Sequence, residues 1–307
     1  MPKLPKGGFM IALIVHGGAG KIEEKITAQK GIEKALIKGY QILQKDGKAI
    51  DAVCTAVCEL EDNPYFNAGT GSVLNLLLEV EMDASVMTSE GHFGACGAIK
   101  NVKNPVLVAK KIMEETDHLL LVGEGAKMFA QAMGFPEYNP KTEREIEKLK
   151  KLIEKGENIY FPNFKKLIEI YKNLKREKNL STVGACALDR YGVIAVATST
   201  GGLRGKLPGR VGDSAIIGAG TYATPLAGVS ATGHGEEIIK NFVAKEICEL
   251  VKYHDIQTAI NIFMEELKKR NCLCGVIGVD VRGNVGHGYT TKDMAWGFIK
   301  DGKMVIF

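Results

Sequence analysis

The strongest constraint on the fold is that strand-like and helix-like segments arrive in pairs rather than in alternation. Residues 9–15 form a continuous apolar run, the pattern of a buried strand. Residues 26–45 place Ile26, Ile32, Leu36 and Tyr40 on a helical face, and Asp46-Gly47 closes that helix. A second helix runs from Lys48 to Leu60, with Ile50, Val53, Cys54 and Val57 on one side; Asn63-Pro64 stops it. Residues 72–78, 81–87 and 93–99 read as strands. Pro105 suits the first turn of a helix through Glu115. The stretch Leu119 to Val122 precedes Gly123-Glu124-Gly125 and a helix through Met133. Strands are expected again at 183–188 and 193–198, joined by the turn Asp189 to Gly192, and strand-like segments continue to Ser230. Helices near 236–252 and 255–270 and hairpins around 282–284 and 301–302 end the chain. Alternating units would build a parallel sheet. Paired strands and paired helices point instead to α+β layers, two stacked sheets with helices outside.

Composition narrows the partners. The 307 residues are 45% hydrophobic, enough for a sizeable core, and we read 1–307 as a single domain. The net charge of +4 is scattered and aromatics make up 7%, so no nucleic acid partner is expected. No apolar run approaches the roughly 20 residues that span a bilayer, so no membrane partner is expected either. Lys3 and Lys6 before the first apolar run imitate a signal peptide, but His16-Gly17-Gly18-Ala19-Gly20 stands where a small-residue cleavage site would follow. Seven cysteines without scaffold spacing read as small buried hydrophobes in a reducing cytoplasm.

From Pro136 to Leu180 the character changes. Lysine and glutamate dominate and the glycine clusters vanish. Ile146, Leu149 and Ile153 keep helical spacing, so part of the segment is expected to be helical. We read about 136–181 as an exposed linker with a mobile end.

That end meets Thr182, which opens Thr182-Val183-Gly184-Ala185. A threonine hydroxyl is a poor nucleophile without an adjacent base. A cut between Ser181 and Thr182 would free the base, an α-amine titrating near about 7.7–8.0. A second threonine, Thr200, lies eighteen residues on in Thr198-Ser199-Thr200-Gly201-Gly202. Arg210 and Asp213 follow, three apart in a Gly- and Pro-rich loop. One fixed cation and one fixed anion match the α-carboxylate and α-ammonium of an amino acid; a mutual surface salt bridge is the plainer alternative. Thr232-Gly233-His234-Gly235 stands just before a helix and offers backbone N–H groups to an oxyanion, or simply a helix-entry turn. The glycine clusters fit neither dinucleotide nor phosphate-loop spacing, the six histidines form no metal pattern, and the serine-hydrolase elbow is absent.

These stretches, with Val15-His-Gly-Gly-Ala-Gly20, Phe66-Asn-Ala-Gly69, Met82-Asp-Ala-Ser85, Gly123-Glu-Gly-Ala126, Pro208-Gly-Arg-Val-Gly-Asp-Ser214 and Gly218-Ala-Gly-Thr-Tyr-Ala223, occur in one order along nearly the whole chain. In that order they resemble the plant-type L-asparaginase/isoaspartyl peptidase family of N-terminal-nucleophile hydrolases. The resemblance implies a four-layer αββα sandwich, autocleaved into a 1–181 α subunit and a 182–307 β subunit, and a dimer of such αβ units. It implies hydrolysis of L-asparagine to aspartate and ammonia, cleavage of isoaspartyl dipeptides, or both. Thr182 would be nucleophile and base, Thr200 would orient it, and Thr232 and Gly233 would form the oxyanion hole. Arg210 would bind the α-carboxylate and Asp213 the α-ammonium, with backbone help from Gly233 and Gly235. No cofactor is implied for catalysis. A structural sodium is implied, wrapped by the main-chain carbonyls of Leu60, Glu61, Asn63, Phe66, Ala68 and Thr70. The family usually has Gly or Asp before the nucleophile; this chain has Ser181. Rival readings are a glycosylasparaginase or threonine endopeptidase of the same fold, and an uncleaved amino-acid-binding protein.

Overall fold

The computed structural model describes residues 10–156, 158, 161–170 and 182–307. In chain order the first elements are β1 (Ala12–Gly20), α1 (Lys25–Gln44), α2 (Ala49–Glu61), β2 (Met82–Thr88), β3 (Phe93–Ile99), α3 (Pro105–Glu115), β4 (Leu120–Val122) and α4 (Gly123–Ala132). Next come α5 (Glu143–Lys155), α6 (Phe164–Ile170), β5 (Thr182–Leu188), β6 (Ile194–Thr200), β7 (Thr221–Ala223) and β8 (Ala227–Gly233). The chain ends with α7 (Gly235–Asn241), α8 (Val243–Leu250), α9 (Ile256–Lys269), β9 (Cys274–Asp280), β10 (Val285–Tyr289), β11 (Asp293–Lys300) and β12 (Lys303–Ile306).

Among the described residues the strands form two sheets. One has eight strands in the order β12-β11-β1-β5-β6-β2-β3-β4, and the other has four, β10-β9-β8-β7. Successive side chains on a strand face opposite ways, and β1 shows what each face meets. Leu13 and Val15 join Leu36 of α1, Val57 of α2 and Ile112 of α3 in the largest apolar cluster. Ala12 and Ile14, one residue out of phase, join Cys186, Val196, Ile277 and Val279, so that this face meets the small sheet. A third cluster joins Val229 and Val276 of the small sheet to Ile247 of α8 and Ile260 of α9. Close approach needs small residues. A Cβ on Gly17 or Gly31 would fall 2.4 or 2.5 Å from the Phe66 ring.

Several expectations need correction. Residues 72–78 do not make a strand; they hold one isolated bridge, Leu74 to Val80, and otherwise turn. Their apolar run reflects burial of Val73, Leu74 and Leu76 in a coiled segment. β4 pairs with β3 in parallel, so β3-α3-β4 is an alternating unit after all. The helix read across 236–252 is two helices, broken at Phe242, whose φ of 44° is left-handed. The exposed linker is exposed only in part. α5 buries Leu149 and Ile153, and Phe164 and Ile168 of α6 enter the same core. Thr142 caps α5 by accepting from the Glu145 N–H at 3.3 Å, and Gly156 ends it at φ 69°. Residues 171–181, including the linker's expected mobile end, lie outside the described residues. No described helix is long and apolar enough to cross a membrane.

Candidate active site

Thr182 and Thr200 face each other because β5 and β6 are antiparallel neighbours with Thr182 in register with Thr200. Thr182 Oγ1 donates to Thr200 Oγ1 at 3.0 Å, and Thr200 Oγ1 also accepts from the Gly202 N–H at 2.9 Å. The Gly202 bond fixes the direction in which the Thr200 hydroxyl presents itself. Thr182, the first residue of β5, is buried, at 7% exposed. Ser181, the other half of the expected cleavage site, lies outside the described residues.

Beneath this pair the two sheets touch through polar side chains. His16 Nε2 and Ser230 Oγ are 3.0 Å apart, and Ser230 Oγ is 2.8 Å from Thr198 Oγ1. Gly184 must be Gly, since a Cβ there would fall 2.1 Å from Ser230 Oγ and 2.4 Å from His16 Nε2. The His16 ring also lies against the Thr182 backbone, and burial pushes its imidazole down to about 3, so it is neutral at any working pH. Thr182 and Thr200 stand two residues beyond Gly184 and Thr198, and Thr232 stands two beyond Ser230. Strand periodicity puts each on the same face as the residue below it.

The loop after β6 closes this end. Asp83 of β2 is in register with Thr200. Its Oδ2 accepts from the Gly212 N–H at 2.9 Å and its Oδ1 from the Ala98 N–H at 2.8 Å, which pins the Arg210–Asp213 loop to the sheet. Lys206, wholly buried, donates to the Glu81 carbonyl at 2.8 Å; burial lowers its ammonium below the usual range. Gly235 shows how tightly the Arg210 and Asp213 side chains converge. A Cβ there would fall 2.6 Å from Arg210 Nη2 and 2.8 Å from Asp213 Oδ1. Burial pushes the Asp213 carboxyl up to about 7, against the pull of Arg210, and its Oδ2 has no hydrogen-bond partner. Arg210 pairs with Glu236 rather than Asp213. Its Nε and Nη2 donate to the Glu236 oxygens at 3.0 and 2.8 Å. Burial works to raise the Glu236 carboxyl, but the bonds from Arg210 outweigh it and hold Glu236 below its usual range.

Gly233 has φ 138°, and a Cβ there would fall 2.3 Å from the Leu273 carbonyl, so only glycine fits. The chain turns there from β8 into α7, beside the buried Thr232. The structure therefore gathers Arg210, Asp213 and Gly235 into one cluster, and it joins Thr182 to Thr200. Glu236, Asp83 and Asn67, whose Nδ2 donates to the Gly202 carbonyl at 2.9 Å, were not singled out from the sequence. Asp83 and Asn67 stood within quoted motifs without a role, and Glu236 carried no local signal beyond its place after Gly235.

The segment expected to wrap a cation runs from the end of α2 toward Thr70. The carbonyls of Leu60, Glu61 and Asn63 each accept a backbone bond, at 3.3, 2.7 and 3.1 Å, which leaves each a second lone pair. Glu61 is the clearer pointer. It is fully buried, its Oε2 has no partner, and burial pushes its carboxyl up to about 8. A cation beside it would supply the missing charge, so these residues fit one. Among the described residues no cluster of three His, Cys, Asp or Glu side chains offers another metal site.

Known proteins resemble this chain over nearly its whole length. Residues 9–306 match the asparaginase family. The chain is 48% identical to the plant-type L-asparaginase of Pyrococcus horikoshii, over 95% of this chain and 97% of that one. It is 41% identical to the isoaspartyl peptidase/L-asparaginase of Xenopus laevis (96% and 94% covered) and 42% identical to that of Homo sapiens (95% and 94% covered).

Proposed function

Because the chain belongs to the asparaginase family, we propose that it hydrolyses L-asparagine to aspartate and ammonia and cleaves the β-linked bond of isoaspartyl dipeptides. The observation that carries this reading is the 3.0 Å contact between Thr182 and Thr200, beside the cluster of Arg210, Asp213 and Gly235. The precursor first cuts itself between Ser181 and Thr182. The freed Thr182 amine then takes the proton from its own Oγ, and that oxygen attacks the β-carbonyl carbon of the substrate. Thr200, anchored by Gly202, steadies the oxygen as it changes charge. Backbone and hydroxyl donors at Thr232 and Gly233 receive the oxyanion; loss of one such donor typically costs about 10²–10³ in turnover. The amine returns the proton to the departing nitrogen. Water then attacks the β-aspartyl ester on Thr182, and aspartate leaves.

Substrate polarity follows from charge. Arg210 takes the α-carboxylate through the Nη1 edge of its guanidinium, which Glu236 does not bond, and Asp213 takes the α-ammonium through its unpartnered oxygen. Gly233 and Gly235 allow the backbone to come close. No cofactor takes part in the chemistry. A sodium ion held by the carbonyls of Leu60, Glu61, Asn63, Phe66, Ala68 and Thr70 would stiffen the loop that carries Asn67. The three apolar clusters support a four-layer αββα sandwich. We place the protein in a reducing cytoplasm, in keeping with seven unpaired cysteines, as a dimer of αβ units.

The test is intact mass followed by assay. The purified chain should give fragments of 181 and 126 residues, the second beginning at Thr182. Thr182→Ala should stay whole and release no aspartate from asparagine or β-Asp-Leu. Aspartate released by Thr182→Ala overturns the nucleophile, and a stable full-length wild type overturns the maturation step.

A further inference from the structure

One cavity of about 230 Å3, several times the roughly 30 Å3 that one water takes up, plays no part in the steps above. Its lining includes Gly17, Gly18 and Asn67, together with Arg144 and Lys148 of α5 and Arg204. Two links tie it to the nucleophile. The ladder of β1 on β5 ends with His16 opposite Gly184, two residues from Thr182, and the cavity-lining Gly17 and Gly18 follow directly on from His16. Asn67 Nδ2 donates to the Gly202 carbonyl at 2.9 Å, and the Gly202 N–H is the one that holds Thr200.

The lining carries more cations than anions. Lys21, Arg144, Lys148 and Arg204 face it against only two carboxylates, Glu23 and Glu145. Arg204 is 3% exposed and pairs with Glu145 through Nη2, yet its Nε has no hydrogen-bond partner. Lys148 comes no closer than 3.6 Å to Glu145 and 3.9 Å to Glu23, beyond good hydrogen-bond length. A buried guanidinium N–H without an acceptor is costly unless something supplies one. Asparagine releases only ammonia. An isoaspartyl dipeptide releases an amino acid with a free α-carboxylate.

We propose that this cavity is the leaving-group subsite for isoaspartyl dipeptides, where Arg204, Lys148 and Arg144 receive the α-carboxylate of the released residue. The proposal rests on the function given above and adds that the site discriminates by that carboxylate. The experiment compares β-Asp-Leu with β-aspartyl-leucinamide, which lacks only the negative charge, in mature wild type and in the Arg144→Gln/Lys148→Gln variant. Both replaced residues lie on α5 outside the fully buried Arg204–Glu145 pair, and circular dichroism checks that the variant is folded. In wild type kcat/KM should favour the acid by about tenfold, the factor of about 1.4 kcal/mol, through KM rather than kcat. In the variant that ratio should fall toward one. Equal kcat/KM for acid and amide in wild type, or a ratio unmoved by the variant, overturns the subsite and leaves the asparaginase reading standing. No hydrolysis of asparagine or of either dipeptide by mature wild type overturns the functional reading and the subsite with it.

Discussion

Asp213 is the residue whose environment says most about working conditions. Burial raises its carboxyl to about 7, so below that pH the group is mostly protonated and cannot pair with an ammonium. For the free enzyme, kcat/KM for asparagine should therefore rise with pH through about 7, read from a pH–rate profile. The sign for stability is opposite. A carboxyl whose folded pKa exceeds its unfolded value favours the fold fully below the unfolded value, and the benefit is lost as pH rises through about 7. Asp213→Asn should thus gain Tm over wild type at pH 8 and not at pH 4, while it loses ammonium recognition. Arg210→Ala should weaken substrate binding by about 2–5 kcal/mol, measured as KM for asparagine, because it strands the substrate carboxylate. It also frees Glu236 to repel that same carboxylate.

At the scale of elements, Gly31 offers a sharp check. It sits inside α1, where Ala would normally stabilise a helix by about 1 kcal/mol. Here a Cβ would fall 2.5 Å from the Phe66 ring and 2.8 Å from Asn63 Nδ2. Gly31→Ala should therefore destabilise, by about 1–3 kcal/mol in urea unfolding. The pairing of strands and of helices was legible, and the ends of β3 and α3 fell where the residue patterns put them. The meeting of Thr182 and Thr200 was legible because each lies in a local motif. α5 was harder to see. Its apolar stripe was visible, but burial of the intervening Glu145 depends on Arg204, fifty-nine residues away. Glu236 was hidden for the same reason, since its partner Arg210 is twenty-six residues upstream.

For the whole molecule, the order of the large sheet decides what cleavage can do. β1, β2, β3 and β4 precede the expected cut, and β5, β6, β11 and β12 follow it, yet β1 lies between β11 and β5. The fragments share one hydrogen-bonded sheet and should elute together in gel filtration, parting only in denaturant. Two peaks under native conditions would contradict this. The braid of strands also gives the protein a memory. The proposed cut cannot precede folding, because the place Thr182 occupies exists only once both halves are woven together. A chain already cut must find its complement by collision before it can weave again. After full denaturation, recovery of the mature protein should depend on concentration, whereas uncut Thr182→Ala should regain its sheet at any dilution. With the proposed cut, maturation would work as a ratchet, and the molecule's persistence would be set by how slowly it comes apart.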